Sequence, residues 1–127
     1  LKAEVKELFR RTKTEGEYND DYNDKILDLF EFDKDMFAQA FFIDDELVAF
    51  NLGAKMNEQV AIYIINKNLP EFKYLVDYSR FEFHNECRIR EYWYVNDGSD
   101  LDREGLRRLK RKFNPLSLLP IKRVVLR

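Results

Sequence analysis

Four cations on one helical flank are the residues of this chain best suited to chemistry. They lie in Ser99–Pro115, SDLDREGLRRLKRKFNP. At about 100° per residue, Leu106, Leu109 and Phe113 share one narrow sector, with Lys110 and Arg103 at its edge, Arg107 next and Arg111 beyond. Arg108 and Lys112 fall elsewhere and read as plain solvated charges. A guanidinium grips phosphate with two parallel hydrogen bonds and an ammonium acts as a point charge. A positive row beside a buried stripe therefore suits a phosphate or polyanion lying in a groove. The other reading is that Arg103 and Arg107 pair with an acidic body, and the sequence leaves the two level.

Charge along the chain is lopsided. Leu101–Arg127 holds nine Lys/Arg against two Asp/Glu, net +7, and the preceding hundred residues carry 13 positive and 22 negative charges, net −9. The whole-chain value of −2 hides an acidic body with a basic end. Such asymmetry points to an anionic partner, tRNA or another phosphate-rich ligand, and says nothing of fold. A solvated helix face is the competing explanation.

Other reactive side chains are few. His84 is the single histidine, near a helix end, where a charge partner is a commoner role than a catalyst. Cys87 is the single cysteine and reads as a small buried residue rather than a nucleophile. One histidine and one cysteine make no zinc site, and one cysteine makes no internal disulfide, so a reduced, cytoplasmic setting is the simplest reading. The acidic run Glu15, Glu17, Asp20, Asp21 and Asp24 lacks calcium-loop spacing.

These residues need a scaffold, and the composition provides one. The 127 residues are 45% apolar with eighteen Phe and Tyr, enough for one packed domain, and no apolar run approaches the roughly 20 residues that span a bilayer. Val5, Leu8 and Phe9 predict a helix over residues 2–12, and Tyr22, Ile26, Leu29 and Phe30 predict a second. Phe37–Ile43 and Leu47–Leu52 read as a hairpin turning at Asp44-Asp45. Val60–Ile65 is a continuous apolar run, the mark of a strand covered on both faces. Asn68 and Pro70 suit the cap and first turn of a helix whose inward stripe is Phe72, Leu75, Val76, Ser79 and Phe83. The alternation in Ile89–Val95 predicts a strand, which the strand–helix–strand order makes the parallel neighbour of Val60–Ile65 through a right-handed helical crossover. Ser99 with Asp102 resembles a capping box opening the basic helix, Asn114-Pro115 ends it, and Ile121–Leu126 predicts a last strand. The order ααβββαβαβ is that of a mixed α/β domain.

With that order in view, Phe50–Phe72 (FNLGAKMNEQVAIYIINKNLPEF) and Val95–Pro115 (VNDGSDLDREGLRRLKRKFNP) carry a resemblance. They resemble the C-terminal domain of bacterial phosphatidylglycerol lysyltransferases and their soluble relatives, a family similar in turn to Fem-type aminoacyltransferases. The family pattern I-N-x-x-x-D-L-G-x-x-G-L-R-x-x-K-x-x-Y-x-P is met by Asn96, Asp100, Leu101, Gly105, Leu106, Arg107, Lys110 and Pro115, with Phe113 as the aromatic. The resemblance runs from about Phe41 onward. It implies a GNAT-like (acyl-CoA N-acyltransferase) α/β fold, a mixed twisted sheet with helices on both faces. It also implies that residues 1–127 are one such domain, the C-terminal half of a larger tandem protein with a preceding GNAT-like domain.

The resemblance further implies transfer of an acyl or aminoacyl group from an activated carrier to an amine or hydroxyl, with no tightly bound cofactor. Lys110 matches the lysine held to grip the carrier phosphate or the developing oxyanion, a role for which a positive charge is suited. Arg107 and Asp100 match positions that brace it, and Lys67 matches the lysine of a Glu-Lys pair after the central strand. Arg103, Arg107, Lys110 and Lys67 are thus the expected carrier-binding residues. Tyr92 and Tyr94 would border the substrate cleft, where a tyrosine can protonate a leaving group, though core packing is the commoner use. The chain departs from the pattern at Asn66 (for Glu), Tyr74 (for Gly), Asp97 (for Arg) and Asp102 (for Gly). INKNLPEF also lacks the glycine-rich pyrophosphate loop of acetyl-CoA users, so aminoacyl-tRNA is expected before acyl-CoA as donor. The rival from another class is a diverged, non-catalytic module that binds an anionic partner through the basic helix.

Overall fold

The computed structural model describes residues 1–12, 20–30 (20–23 as backbone only), 33–98, 104–119 and 124–125. It forms two compact units, Leu1–Asn96 and Asp97–Arg127.

In the first unit, α1 (Lys2–Arg11) and α2 (Asp20–Phe30) precede β1 (Met36–Ile43), β2 (Glu46–Lys55) and β3 (Val60–Asn68). Then come α3 (Leu75–Ile89) and β4 (Tyr94–Asn96). The sheet order is β1-β2-β3-β4. The first two pairings are antiparallel, and β3 with β4 is parallel. The β1–β2 hairpin turns where the sequence predicts it. Asp44 and Asp45 both take positive φ, 48° and 65°, the sign that a tight two-residue hairpin turn requires.

Each face of the sheet has its own cover. Val5, Leu8 and Phe9 of α1 and Ile26 and Leu27 of α2 pack with Leu47, Phe50, Leu52 and Ile65. Leu29, expected to face inward, is instead exposed, and Leu27 takes the buried place. On the opposite face, Phe83 and Cys87 of α3 pack with Phe37, Ala61 and Tyr63. Phe83 lies flat on Tyr63, centroids 3.7 Å apart and planes 9° from parallel, and stacks on Phe37 at 5.6 Å. Gly53 makes that stack possible, because a Cβ there would sit 2.6 Å from the Phe83 ring.

A bulge sets which side chains of β3 face α3. Leu52 pairs with Ile65 but Gly53 pairs with Tyr63, so Ile64 is an extra residue. Tyr63 and Asn66, three apart, thereby come to share one face, while Ile65 joins the α1–α2 core. Covering of β3 alternates: Ala61, Tyr63 and Ile65 are buried between half-buried Val60, Ile62 and Ile64.

Two boundaries differ from the sequence reading. The α3 helix starts at Leu75 rather than near Pro70, with residues 70–74 in turns. The strand expected over Ile89–Val95 is only Tyr94–Asn96, because α3 runs on to Ile89. Glu91, at φ 67°, ends the helix: its N–H reaches the Arg88 carbonyl and the Tyr92 N–H reaches that of Cys87, both at 3.0 Å. This is the Schellman arrangement with a glutamate where glycine is usual.

The second unit contains α4 (Glu104–Arg111). Leu106, Leu109 and Phe113 are half-buried rather than fully buried. The Ser99/Asp102 capping box lies outside the described residues. Of the expected Ile121–Leu126 strand only Val124 and Val125 are described, both exposed and in no strand. Among the described residues no helix is long and apolar enough to cross a membrane.

Candidate functional site

The parallel pair that sequence alternation predicts is present but short. β4 meets β3 over Val60–Ile62 alone, so among the described residues β3 continues from Tyr63 to Asn68 with that edge open. The Leu69 N–H bonds the Val48 carbonyl at 2.9 Å. Strand alternation then directs the main-chain groups of Asn66 and Asn68 to the open edge.

The end of β3 runs into a cleft of about 440 Å³. Asn66, Lys67 and Asn68 form one wall, and Thr12, from the end of α1, lies across from them. Pro70, Phe72, Lys73 and Tyr74 come from the turns before α3. Lys67 and Lys73 are the charged side chains lining it among the described residues. Among the described residues no carboxylate or imidazole lines it.

A buried polar network holds the wall. Asn51 is fully buried in β2, and its Nδ2 donates to the Ser79 carbonyl at 2.8 Å and to Gln39 Oε1 at 3.0 Å. Its Oδ1 accepts from the Tyr63 hydroxyl and from Asn66 Nδ2, the latter at 2.8 Å. Asn66 Nδ2 also reaches Ser79 Oγ at 3.1 Å, Ser79 Oγ donates to Asn68 Oδ1 at 2.7 Å, and Asn68 Nδ2 donates to Asn66 Oδ1 at 3.0 Å. Every wall amide is thus tied to α3 or β2, so the wall is preformed. Asn66, where the resembled family has a carboxylate, serves here as a neutral link. Beside the network Arg80 is 4% exposed, and its guanidinium carbon lies 5.0 Å from the Tyr63 ring centre.

The sequence-predicted residues take distinct places. Lys67 lines the cleft. Tyr92 lies beyond the α3 stop, half-buried and stacked on Phe37 at 6.3 Å, and Tyr94 is on β4, opposite Val60 and largely exposed. They do not share a strand face as expected, because Tyr92 precedes β4. In the second unit, Lys110 Nζ donates to the Asp97 carbonyl and lies 3.5 Å from that residue's carboxylate, its side chain 15% exposed. Arg107 lies 3.6 Å from Glu104. Arg103 and Asp100 lie outside the described residues.

The lone reactive residues are packed. Burial pushes the Cys87 thiol up to about 12, Glu86 adding to the effect and Arg90 opposing it, so the thiolate nucleophile is suppressed. His84 is half-buried, edge-on to Tyr63 at 6.4 Å and Phe83 at 6.2 Å. No group of three acidic, His or Cys residues among those described can hold a metal.

Sequence reasoning passed over Asn51, Asn68, Lys73 and Tyr74 as site residues. A signal existed for two of them. Asn51 interrupts the apolar LVAFNL strand, and Asn68 closes the polar end NKN of an apolar strand. Tyr74 stands out only as a departure from a family glycine, and Lys73 carries no pattern that a surface turn would lack.

No protein-family model and no curated protein matches the chain. Solved structures do. The ribosomal-protein-alanine N-acetyltransferase of Brucella melitensis biovar Abortus 2308 is similar with a TM-score of 0.69 at 14% identity, over 99% of this chain and 92% of that one. AAC(6')-Iy, solved with the bisubstrate analogue CoA-S-monomethyl-acetylneamine, gives 0.65 at 10% identity, over 99% and 89%. A conserved protein of unknown function from Bacteroides thetaiotaomicron VPI-5482 gives 0.60 at 26% identity over 65% of this chain. This chain covers 28% of that Bacteroides protein. The fold is therefore the GNAT-like α/β fold, a mixed sheet with helices on both faces.

Proposed function

We propose that this chain is an acyltransferase domain, moving an acyl group from a phosphate-bearing carrier to an amine or hydroxyl. The observation that carries the reading is the open β3 edge from Tyr63 to Asn68 running into a cleft lined by Lys67 and Lys73. An extended carrier arm containing amides can add to an open strand edge as an extra strand. Lysines at the end of that edge suit its phosphates. Coenzyme A has this build, and a fold neighbour solved with a CoA conjugate supports the same donor. Acyl-CoA therefore moves ahead of aminoacyl-tRNA, reversing the order that the missing glycine loop suggests.

The chemistry is acyl substitution. The acceptor lone pair attacks the thioester carbonyl, the C–S bond breaks, and the thiolate leaves with the electron pair and takes a proton from solvent. With no base lining the described cleft, the acceptor proton passes to solvent, and rate enhancement comes from holding the two reactants together. Lys110, with Arg107 and Arg103, remains the proposed phosphate or oxyanion group of the basic helix, and Tyr92 and Tyr94 the proposed acids.

The +7 segment favours a second reading, in which the anionic partner is tRNA, as aminoacyl donor or as ligand of a non-catalytic module. The partial match to a much longer Bacteroides protein fits a tandem transferase related to the phosphatidylglycerol lysyltransferases. Incubation with radiolabelled acetyl-CoA or with charged tRNA, each with an amine acceptor mixture, tests both. Label transferred from acetyl-CoA supports the first reading, transfer from charged tRNA the second. Binding of tRNA without transfer from either donor leaves the binding module.

A further inference from the structure

We propose that Tyr74 is a stacking platform for the heterocyclic base of a nucleotide-bearing carrier, which sets the substrate class of the cleft. The inference rests on the acyl-carrier reading above and adds a base-recognition residue to it. Tyr74 lines the cleft, yet it is 67% exposed, so its ring is not there to fill a core. Its backbone sits at φ 66°, ψ 3°, in the left-handed region that a bulky side chain disfavours and glycine adopts freely. The turn alone would be better served by glycine, so the ring is present for something outside the backbone. Lys73 Nζ lies 5.0 Å from its centre, and Lys67 lines the same cleft. A largely exposed ring with one ammonium over it and a second lysine lining the same cleft can hold a base by stacking on its other face and a phosphate by charge. The shared chemistry is a base joined to phosphate, whether from coenzyme A or from the single-stranded end of an RNA.

The test compares wild type, Tyr74→Gly and Tyr74→Trp by calorimetric titration and thermal melting. The probes are coenzyme A, 4′-phosphopantetheine (the same arm without the base) and a 5′-phosphorylated CCA trinucleotide. Tyr74→Gly should melt no lower than wild type, since it relieves the left-handed conformation. It should nevertheless bind coenzyme A about tenfold more weakly, with phosphopantetheine unchanged, and Tyr74→Trp should restore affinity. Stability and affinity moving in different directions is a result that a purely structural tyrosine cannot give. Equal weakening for coenzyme A and phosphopantetheine, or no weakening of either, would overturn the platform and leave the acyl-CoA reading intact. Trinucleotide binding that depends on Tyr74, with no coenzyme A binding, would keep the platform and remove the acyl-CoA donor. Failure of wild type to bind any of the three would overturn both.

Discussion

Asn66 Nδ2 on β3 donates to Asn51 Oδ1 on β2 at 2.8 Å, and the same oxygen accepts a hydrogen bond from the Tyr63 hydroxyl. The two donors reach one acceptor only because the extra residue Ile64 brings positions 63 and 66 onto one face. That acceptor lies in a fully buried side chain, so water cannot replace it. Asn51→Leu should remove the acceptor of the Tyr63 hydroxyl and the donor to the Ser79 carbonyl and Gln39 Oε1, while Asn66 keeps its contact with Ser79 Oγ. At about 1–3 kcal/mol for each unsatisfied buried group, the loss should reach several kcal/mol. Urea denaturation measures it, and a loss under about 1 kcal/mol would mean that the network is replaceable.

Gly53 and Phe83 make a second prediction. A methyl group at Gly53 would sit 2.6 Å from the Phe83 ring and 2.9 Å from Phe37 Cζ. Gly53→Ala should destabilise by about 1–3 kcal/mol through overpacking. Adding Phe83→Leu should recover part of that loss in a double-mutant cycle, because it empties the space the methyl needs. Additive losses would show that the clash is relieved elsewhere.

The Cys87 thiol is held neutral by burial, with its folded pKa pushed up to about 12 from an ordinary 9.0. A raised folded pKa favours the protonated form, so this contribution to stability is complete below pH 9. It is lost as pH climbs toward 12, because the unfolded chain releases the proton first. Native protein at pH 8 should therefore resist a thiol reagent that reacts at once in 6 M guanidinium. Cys87→Ala should flatten the alkaline decline in stability between pH 9 and 11. Rapid labelling of native protein would contradict the packing described here.

Lys110 bonds Asp97 within the second unit, whereas Lys112 is exposed. If Lys110 serves the carrier, Lys110→Ala should lower turnover by about 2.7–4 kcal/mol of transition-state stabilisation, far more than Lys112→Ala. Asp97→Asn separates the roles, since it keeps the backbone contact and removes the carboxylate near the ammonium. Equal losses for Lys110→Ala and Lys112→Ala, with both folded, would reduce Lys110 to general electrostatics.

The basic end should bind tRNA with an affinity that falls steeply with salt, as counterion release requires. Labelled tRNA should shift in a native gel at low salt and run free at high salt. Unchanged mobility at low salt would remove nucleic acid as a partner.

Local pattern made much of the first unit legible. Spacing of Val5, Leu8 and Phe9, the hairpin around Asp44-Asp45 and the parallel strand after a helical crossover all follow from periodicities of 3.6 and 2, which each segment carries within itself. The parallel neighbour of β3 was legible for a further reason, since a strand–helix–strand connection has one favoured hand.

What tertiary structure alone decided has a common physical cause, a choice made between segments rather than within one. The alternation in Ile89–Val95 is a real pattern, but α3 keeps residues up to Ile89, and Glu91 takes a left-handed stop that no glycine announces. The bulge at Ile64 depends on pairing with β2, so nothing in VAIYIINKN reveals that Tyr63 and Asn66 share a face. Asn66 looked like a lost carboxylate, and only its contacts with Asn51 and Ser79 give it another purpose. The cleft likewise exists because the end of β3, the turns before α3 and the end of α1 converge, a meeting of chain segments more than fifty residues apart that no short motif encodes.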